Sequence, residues 1–309
     1  MMRYAAVRLI QFPLILAVIY VATFFLTWVI PGSPFERTER RVADAALKAM
    51  AERFHADDWR KFMAYYPLRA LRGDFGQSMK YQDWSVTDII RQSLPVSVTL
   101  GLFALTIAVF VGVATGVLAA VRRGGIIDSL SVGLALAGIS VPSFVVASLL
   151  LVTFCVRVKW FSIGQWGTPA DMVLPGVALS LLPMAYIARL SRVAMLDVLG
   201  SDFVRTARAK GLPRATVIWK HCLKHALLPV LSFLGPAAAG TLTGSFVVEK
   251  VFNIPGLGQH FVNSVLNKDQ TMILAVVMIY SVMLLTFNLL VDLCYALLDP
   301  RIEVGAKAQ

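Results

Sequence analysis

The chain has little of what an enzyme is usually built from. Only 15% of its 309 residues are charged, 18 of them acidic, and it has four histidines and three cysteines. It has no Gly-x-x-x-x-Gly-Lys-Ser/Thr run, so it cannot cradle ATP phosphates in the P-loop manner. His-Glu-x-x-His and Gly-x-Ser-x-Gly are also missing, which leaves no catalytic residue to assign to a membrane-embedded hydrolase. Cys155, Cys222 and Cys294 lie in or beside different apolar runs without paired spacing, so neither a disulfide nor a metal site follows from them. His221 and His225 stand one helical turn apart. Flanked by Lys220 and Lys224 and with no glutamate between, they read as interface or headgroup contacts, not zinc ligands. His55 and His260 are isolated.

Long apolar stretches, by contrast, are abundant. Hydrophobic residues are 58% of the chain and its mean hydropathy is +0.72. A helix of about 20 apolar residues crosses about 30 Å of hydrocarbon. The runs 9–30, 94–121, 129–156, 172–188, 226–248 and 270–291 therefore predict an all-α membrane protein of about six spans. The fourth run is the shortest and carries Pro175 and Pro183, which makes it the candidate for a kinked or re-entrant element. The first run follows Arg3 and Arg8 but is too long for a signal-peptide core, and no small-residue cleavage site follows Ile30; it reads as a retained anchor. Pro142, Pro183 and Pro236 interrupt spans three, four and five, as hinges or as static kinks. The pairs Gly112/Gly116 and Gly240/Gly244 have the small-xxx-small spacing of close helix contacts.

The formal net charge of +11 invites a nucleic-acid reading, which its distribution removes. Outside the segment 31–93, fourteen Lys/Arg fall on the side of the chain termini and four on the other. Short-loop positive charge stays in the cytosol, so both termini, the 197–225 loop and the 301–309 tail are expected there. Segment 31–93 then forms an extracytoplasmic cap. In it Ala43, Leu47, Met50 and Phe54, and again Trp59, Phe62, Met63 and Tyr66, recur at helical spacing, and 73–78 supplies turn chemistry. Two amphipathic helices lying on the membrane face with aromatics at the headgroups are expected, with cargo contact as the alternative.

The stretch 201–213 reads as a short helix with a defined stop. Ser201 or Asp202 is placed to cap the first amides, and Arg208 and Lys210 lie near the negative end of the helix dipole. Gly211 is suited to the left-handed position, and Pro213 forbids continuation. A second helix resumes at about Arg214. Phe203, Val204, Ala207 and Leu212 interleave with the charges, which suits a protein-docking surface: apolar residues entering a groove, with Arg205 and its neighbours on the rim.

Arg205-Thr206-Ala207 followed after three residues by Gly211 resembles the EAA loop of type I ABC importer permeases. With Asp202, Phe203, Arg208, Lys210, Leu212, His221 and the run Leu228-Pro229-Val230, it resembles more narrowly the B-type permease of the oligopeptide and dipeptide importers. The stretches 73–78, 138–144, 244–249, 254–258 and 298–302 carry the same resemblance. The broad pattern's Glu-Ala-Ala is here Arg205-Thr206-Ala207, and its later Ile-x-Leu-Pro is His221-Cys222-Leu223-Lys224, variations that the peptide branch shares. The resemblance implies a type I ABC importer permease fold in a bacterial inner membrane, a second homologous permease completing the pore and two ABC ATPase subunits binding ATP and Mg. It also implies an extracytoplasmic solute-binding protein and peptide cargo, with nickel chelates, opines or sugars as the cargo of other relatives. The coupling residues it implies are Asp202, Phe203, Arg205, Thr206, Ala207, Arg208, Lys210, Gly211, Leu212 and His221.

Glu249, Pro142 and Ser245 are the candidates for the translocation pathway; beside Lys250, Glu249 reads equally as an interfacial ion pair. Asp292 reads as a helix-end anchor. A six-helix secondary transporter or channel driven by an ion gradient is the competing class. It lacks the expected relay of intramembrane carboxylates.

Overall fold

The computed structural model describes the backbone of 2–29, 58–80 and 84–298, with side chains over 10–29, 58–80, 84–243 and 245–294. The predicted helix carrying Ala43, Leu47, Met50 and Phe54 and the 301–309 tail lie outside the described residues. Those residues are helical apart from turns, loops and one isolated antiparallel bridge, Gln77 to Ser85. In chain order the helices are α1 (Met2–Val29), α2 (Trp59–Ala70), α3 (Val86–Val121), α4 (Ile126–Ser140) and α5 (Ser143–Arg157, with a π-helical end over Leu151–Arg157). Then come α6 (Pro169–Leu199), α7 (Asp202–Ala209), α8 (214–226), α9 (Leu228–Phe252), α10 (Leu257–Asn267) and α11 (Gln270–Leu298).

Five of these, α1, α3, α6, α9 and α11, are long and apolar enough to cross a membrane, and α4 with α5 makes a sixth if the bent pair counts as one span. The break expected in the fourth run occurs in the third instead. Between α4 and α5 the chain bends by 101° at Val141-Pro142. Pro142 has no N–H to continue the ladder, and Val141 before it adopts extended φ/ψ of −93° and 121°. The fourth run lies inside α6, which continues through both Pro175 and Pro183. Asp171 starts α6 by accepting from the Thr168 amide at 2.9 Å, half of a capping box.

The described chain divides into two compact units. In the unit formed by 6–97 and 255–285, Tyr20 and Phe24 of α1 stack with Phe62 and Tyr66 of α2, around Met79 and Leu274. The Tyr20 hydroxyl donates to Met63 O and the Tyr66 hydroxyl to Thr271 O, each at 3.0 Å, so both aromatics are buried with their polar tips satisfied. Phe62 and Tyr66 therefore face this cluster, not lipid headgroups as the sequence suggested, while Trp59 and Tyr65 stay exposed. Buried Asp269 caps α11, accepting from the Ser78 hydroxyl, the Thr271 hydroxyl and the Met272 amide. The predicted turn at 73–78 is present, with Gly73 and Gly76 both at positive φ and the Asp74 carboxyl held below the usual range by the Arg69 guanidinium.

In the unit formed chiefly by 98–254, α3 packs on α6 through the predicted glycine pair. A Cβ at Gly112 would meet Met184 O at 2.8 Å, and one at Gly116 would meet Ser191 Cβ at 2.7 Å. Gly240, by contrast, has nothing within 4 Å of where its Cβ would stand, so its spacing does not mark a contact here. Gly116→Val is expected to cost about 3 kcal/mol by overpacking. Gly240→Ala is expected to stay within about 1 kcal/mol of the parent, on the stabilising side, because alanine favours helix. Thermal unfolding of the two variants in detergent measures the difference.

Candidate coupling surface

Helix α6 ends at Leu199, and after two intervening residues, Gly200 and Ser201, the chain enters the eight-residue helix α7. Ser201 occupies the N-cap position, but its hydroxyl donates back to Val198 O at 2.6 Å and caps no amide. Asp202 lies in the first turn, where its charge suits the dipole. Its ion pair with Arg205, at 3.3 Å, is largely solvated and contributes little. The far end matches the sequence reading closely. Gly211 sits at φ +76°, its amide donates to Arg208 O at 2.9 Å, and the Leu212 amide donates to Ala207 O at 3.3 Å. These two bonds make a Schellman motif with Lys210 as the C-cap residue, and Pro213 opens the next helix.

Burial divides the faces of α7 differently from the expectation. Val204 and Ala207, three apart, turn inward and join Val117, Ala120, Met195, Val217, Cys222 and Ala226 in one buried cluster. They are core residues of this chain and not available to enter a partner's groove. The outward face carries Asp202, Phe203, Arg205, Thr206, Arg208 and Lys210, continued by Gly211 and Leu212. Phe203 is 43% exposed, its ring 5.4 Å from that of His225. The outward face is thus a cationic ridge with Phe203 and Leu212 as its apolar anchors.

Helix α8 holds this ridge in place. It is α-helical over Arg214–Thr216, π-helical over Val217–Cys222 and α-helical again over Leu223–Ala226. The buried residues Val217 and Cys222 are five apart, the hydrogen-bond spacing of a π-helix, and Trp219 between them faces outward at 65% exposure beside Lys220. His221 is half-buried in the same turn, and burial raises the Cys222 thiol pKa. Trp219 went unread in the sequence because a regular 3.6 repeat does not reveal an inserted residue. Arg214 donates to Val121 O at 3.0 Å, tying α8 to the last turn of α3. A second unread contact is the bidentate pair of Arg192 with Asp128, at 2.5 and 2.9 Å, which joins α6 to the start of α4. Asp128 also accepts from the Gly124 amide.

The expected pathway residues separate. Glu249 and Ser245, one turn apart on α9, are fully buried, and the Ser245 hydroxyl donates to Leu242 O. Pro142 is exposed at the α4–α5 bend. Asp292 is half-buried in α11.

Residues 112–304 match the family described as "Binding-protein-dependent transport system inner membrane component". The chain is 44% identical to the dipeptide transport system permease protein DppB of Bacillus subtilis, over 99% of its own length and 100% of that protein. It is 42% identical to the oligopeptide transport system permease protein OppB of Salmonella typhimurium, over 93% and 95% of the two chains. Two solved ABC transporters share its fold. One is an amino acid ABC transporter with histidines, with a TM-score of 0.52 at 22% identity, covering 68% of this chain and 94% of that one. The other is the inward-facing MetNI methionine transporter, with a TM-score of 0.54 at 17% identity, covering 68% and 96%. None of these matches supports a transporter driven by an ion gradient. By the family match and the near full-length relatives, this chain belongs to the inner membrane components of binding-protein-dependent transport systems, the permease subunits of ABC importers.

Proposed function

We propose that this chain is one permease subunit of an ATP-driven importer of dipeptides or oligopeptides in a bacterial inner membrane, with both termini in the cytosol. It pairs with a second, homologous permease. Two ABC ATPase subunits bind ATP and Mg, and an extracytoplasmic solute-binding protein delivers the cargo. The single observation that carries the coupling role is the two-faced α7: Val204 and Ala207 fixed in the chain's own core, and a cationic ridge with Phe203 and Leu212 facing outward. Relatives named as dipeptide and oligopeptide permeases support the cargo class.

In this reading the outward ridge, with His221 behind it, seats in a cleft of an ATPase subunit. ATP-driven closure displaces α7, and because α7 is packed on α3, α6 and α8, the push passes to the spans as a rigid-body movement. Segment 31–93 is on the extracytoplasmic side of the membrane in this reading. Pro142, at the bend, is the pathway candidate open to solvent; Glu249 and Ser245 would reach cargo only after the helices around them part.

Purifying the assembly in mild detergent tests the core proposal: an ATPase, a second permease and a binding protein are expected to accompany this chain, and its recovery alone would end the proposal. Reversing charge on the ridge, Arg205→Glu, is expected to lower ATPase co-purification severalfold while membrane insertion is unchanged. Gly211→Val has open space for its side chain but must hold φ +76°, a conformation that costs a β-branched residue about 1–2 kcal/mol. Unravelling of the cap should leave the assembly in the membrane and ATP hydrolysis measurable while uptake of labelled peptide falls at least tenfold.

A further inference from the structure

A groove of about 320 Å³ runs between α3, α4 and α6. Gly116 forms its floor, Val132, Leu136 and Ile139 one wall, and Val193 with Arg189 the other. Val132, Leu136 and Val193 are exposed, so the groove opens sideways along the helices. From Val132 to Ile139 it extends about 10 Å, the rise of seven helical residues.

Its polarity is one-sided. Arg189 and Arg192 both line it, but the Arg192 guanidinium is committed to Asp128, whereas exposed Arg189 makes no ion pair among the described residues. The same neighbourhood holds Arg122 and Arg123 in the α3–α4 turn, whose Gly124 amide donates to Asp128, and Arg214 on Val121 O. Asp128 accepts from Arg192 and from the Gly124 amide, so of the two arginines lining the groove only Arg192 has its counter-charge within the chain. The groove is therefore an apolar trough with surplus positive charge at one end, and apart from Ser131 its walls offer no hydroxyl for a polar solute. That distribution fits an amphiphile: a hydrocarbon chain to cover Val132 and Leu136, and an anionic head to supply the counter-charge that Arg189 lacks.

We propose that this groove is a binding site for an anionic phospholipid, its phosphate at Arg189 and one acyl chain along Val132 and Leu136, stopping short of the bend at Pro142. The proposal depends on the chain lying in a bilayer and not on the nature of the cargo. A lipid held there touches α6 close to its exit into α7, so membrane composition acts on the segment that carries the coupling ridge.

The test is native mass spectrometry of the full chain released from nanodiscs of phosphatidylcholine with and without phosphatidylglycerol. Phosphatidylglycerol is expected to be retained in excess over phosphatidylcholine. Arg189→Gln should cut that excess about fivefold, the factor one interfacial cation supplies. Arg157→Gln, a charge loss away from the groove, should leave it intact. No preference in the parent, or an unchanged excess in Arg189→Gln, overturns the proposal. Independently of any loss of folding in that variant, a photoreactive amino acid at Leu136 in the intact assembly reports the occupant. A lipid adduct is expected, and an adduct to a second polypeptide would mean that another subunit fills the groove.

Discussion

A short helix has no stability of its own in water, and α7 is only eight residues long. What makes it a mechanical part is the burial of Val204 and Ala207 in one cluster with residues of α3, α6 and α8. Because the buried pair is three residues apart, a single stripe of the helix is fastened, and the rest is left for charge. Gly211 closes the last turn so that this stripe ends where the core ends. Remove the inward stripe and the outward ridge becomes an unstructured basic loop, unable to transmit displacement.

The attachments around α7 are of two kinds. The apolar cluster resists compression because interiors are close-packed. The polar ties fix direction: the Arg192 fork holds both oxygens of Asp128 at a defined angle, and Arg214 adds a single bond to Val121 O. Together they join the ends of α3 and α6 and the starts of α4 and α8 at one end of this unit. The glycine contacts of α3 on α6 extend the same rigidity along the two longest helices.

Much of this was legible in the sequence, for identifiable reasons. Spans declare themselves because hydrocarbon tolerates few charges over 20 residues, and the stop of α7 declares itself because glycine and proline each have one physical use there. Less was legible where the outcome depends on neighbours. Prolines at 175 and 183 looked as disruptive as Pro142, yet α6 absorbs both, while at 142 an extended Val141 completes the break. Val204 and Ala207 read as apolar residues for a partner because sequence reveals an apolar stripe but not which protein it faces. Trp219 stayed hidden because the π turn at Val217–Cys222 shifts the helical phase by one residue. Phe62 and Tyr66 looked suited to an interface, and their hydroxyl and ring partners lie as far away in sequence as Thr271.

The bend at Pro142 has a consequence for what surrounds it. A proline cannot donate, so the carbonyl of Gly138 loses its helical partner, and the first amides of α5 emerge with no side-chain cap. Ser140, Val141 and Pro142 are all exposed on this chain. Bare backbone of that kind is not tolerated against lipid tails. Whatever meets the corner must therefore be wet or be another polypeptide, and the outline of the hydrocarbon around this subunit must have a gap on that side.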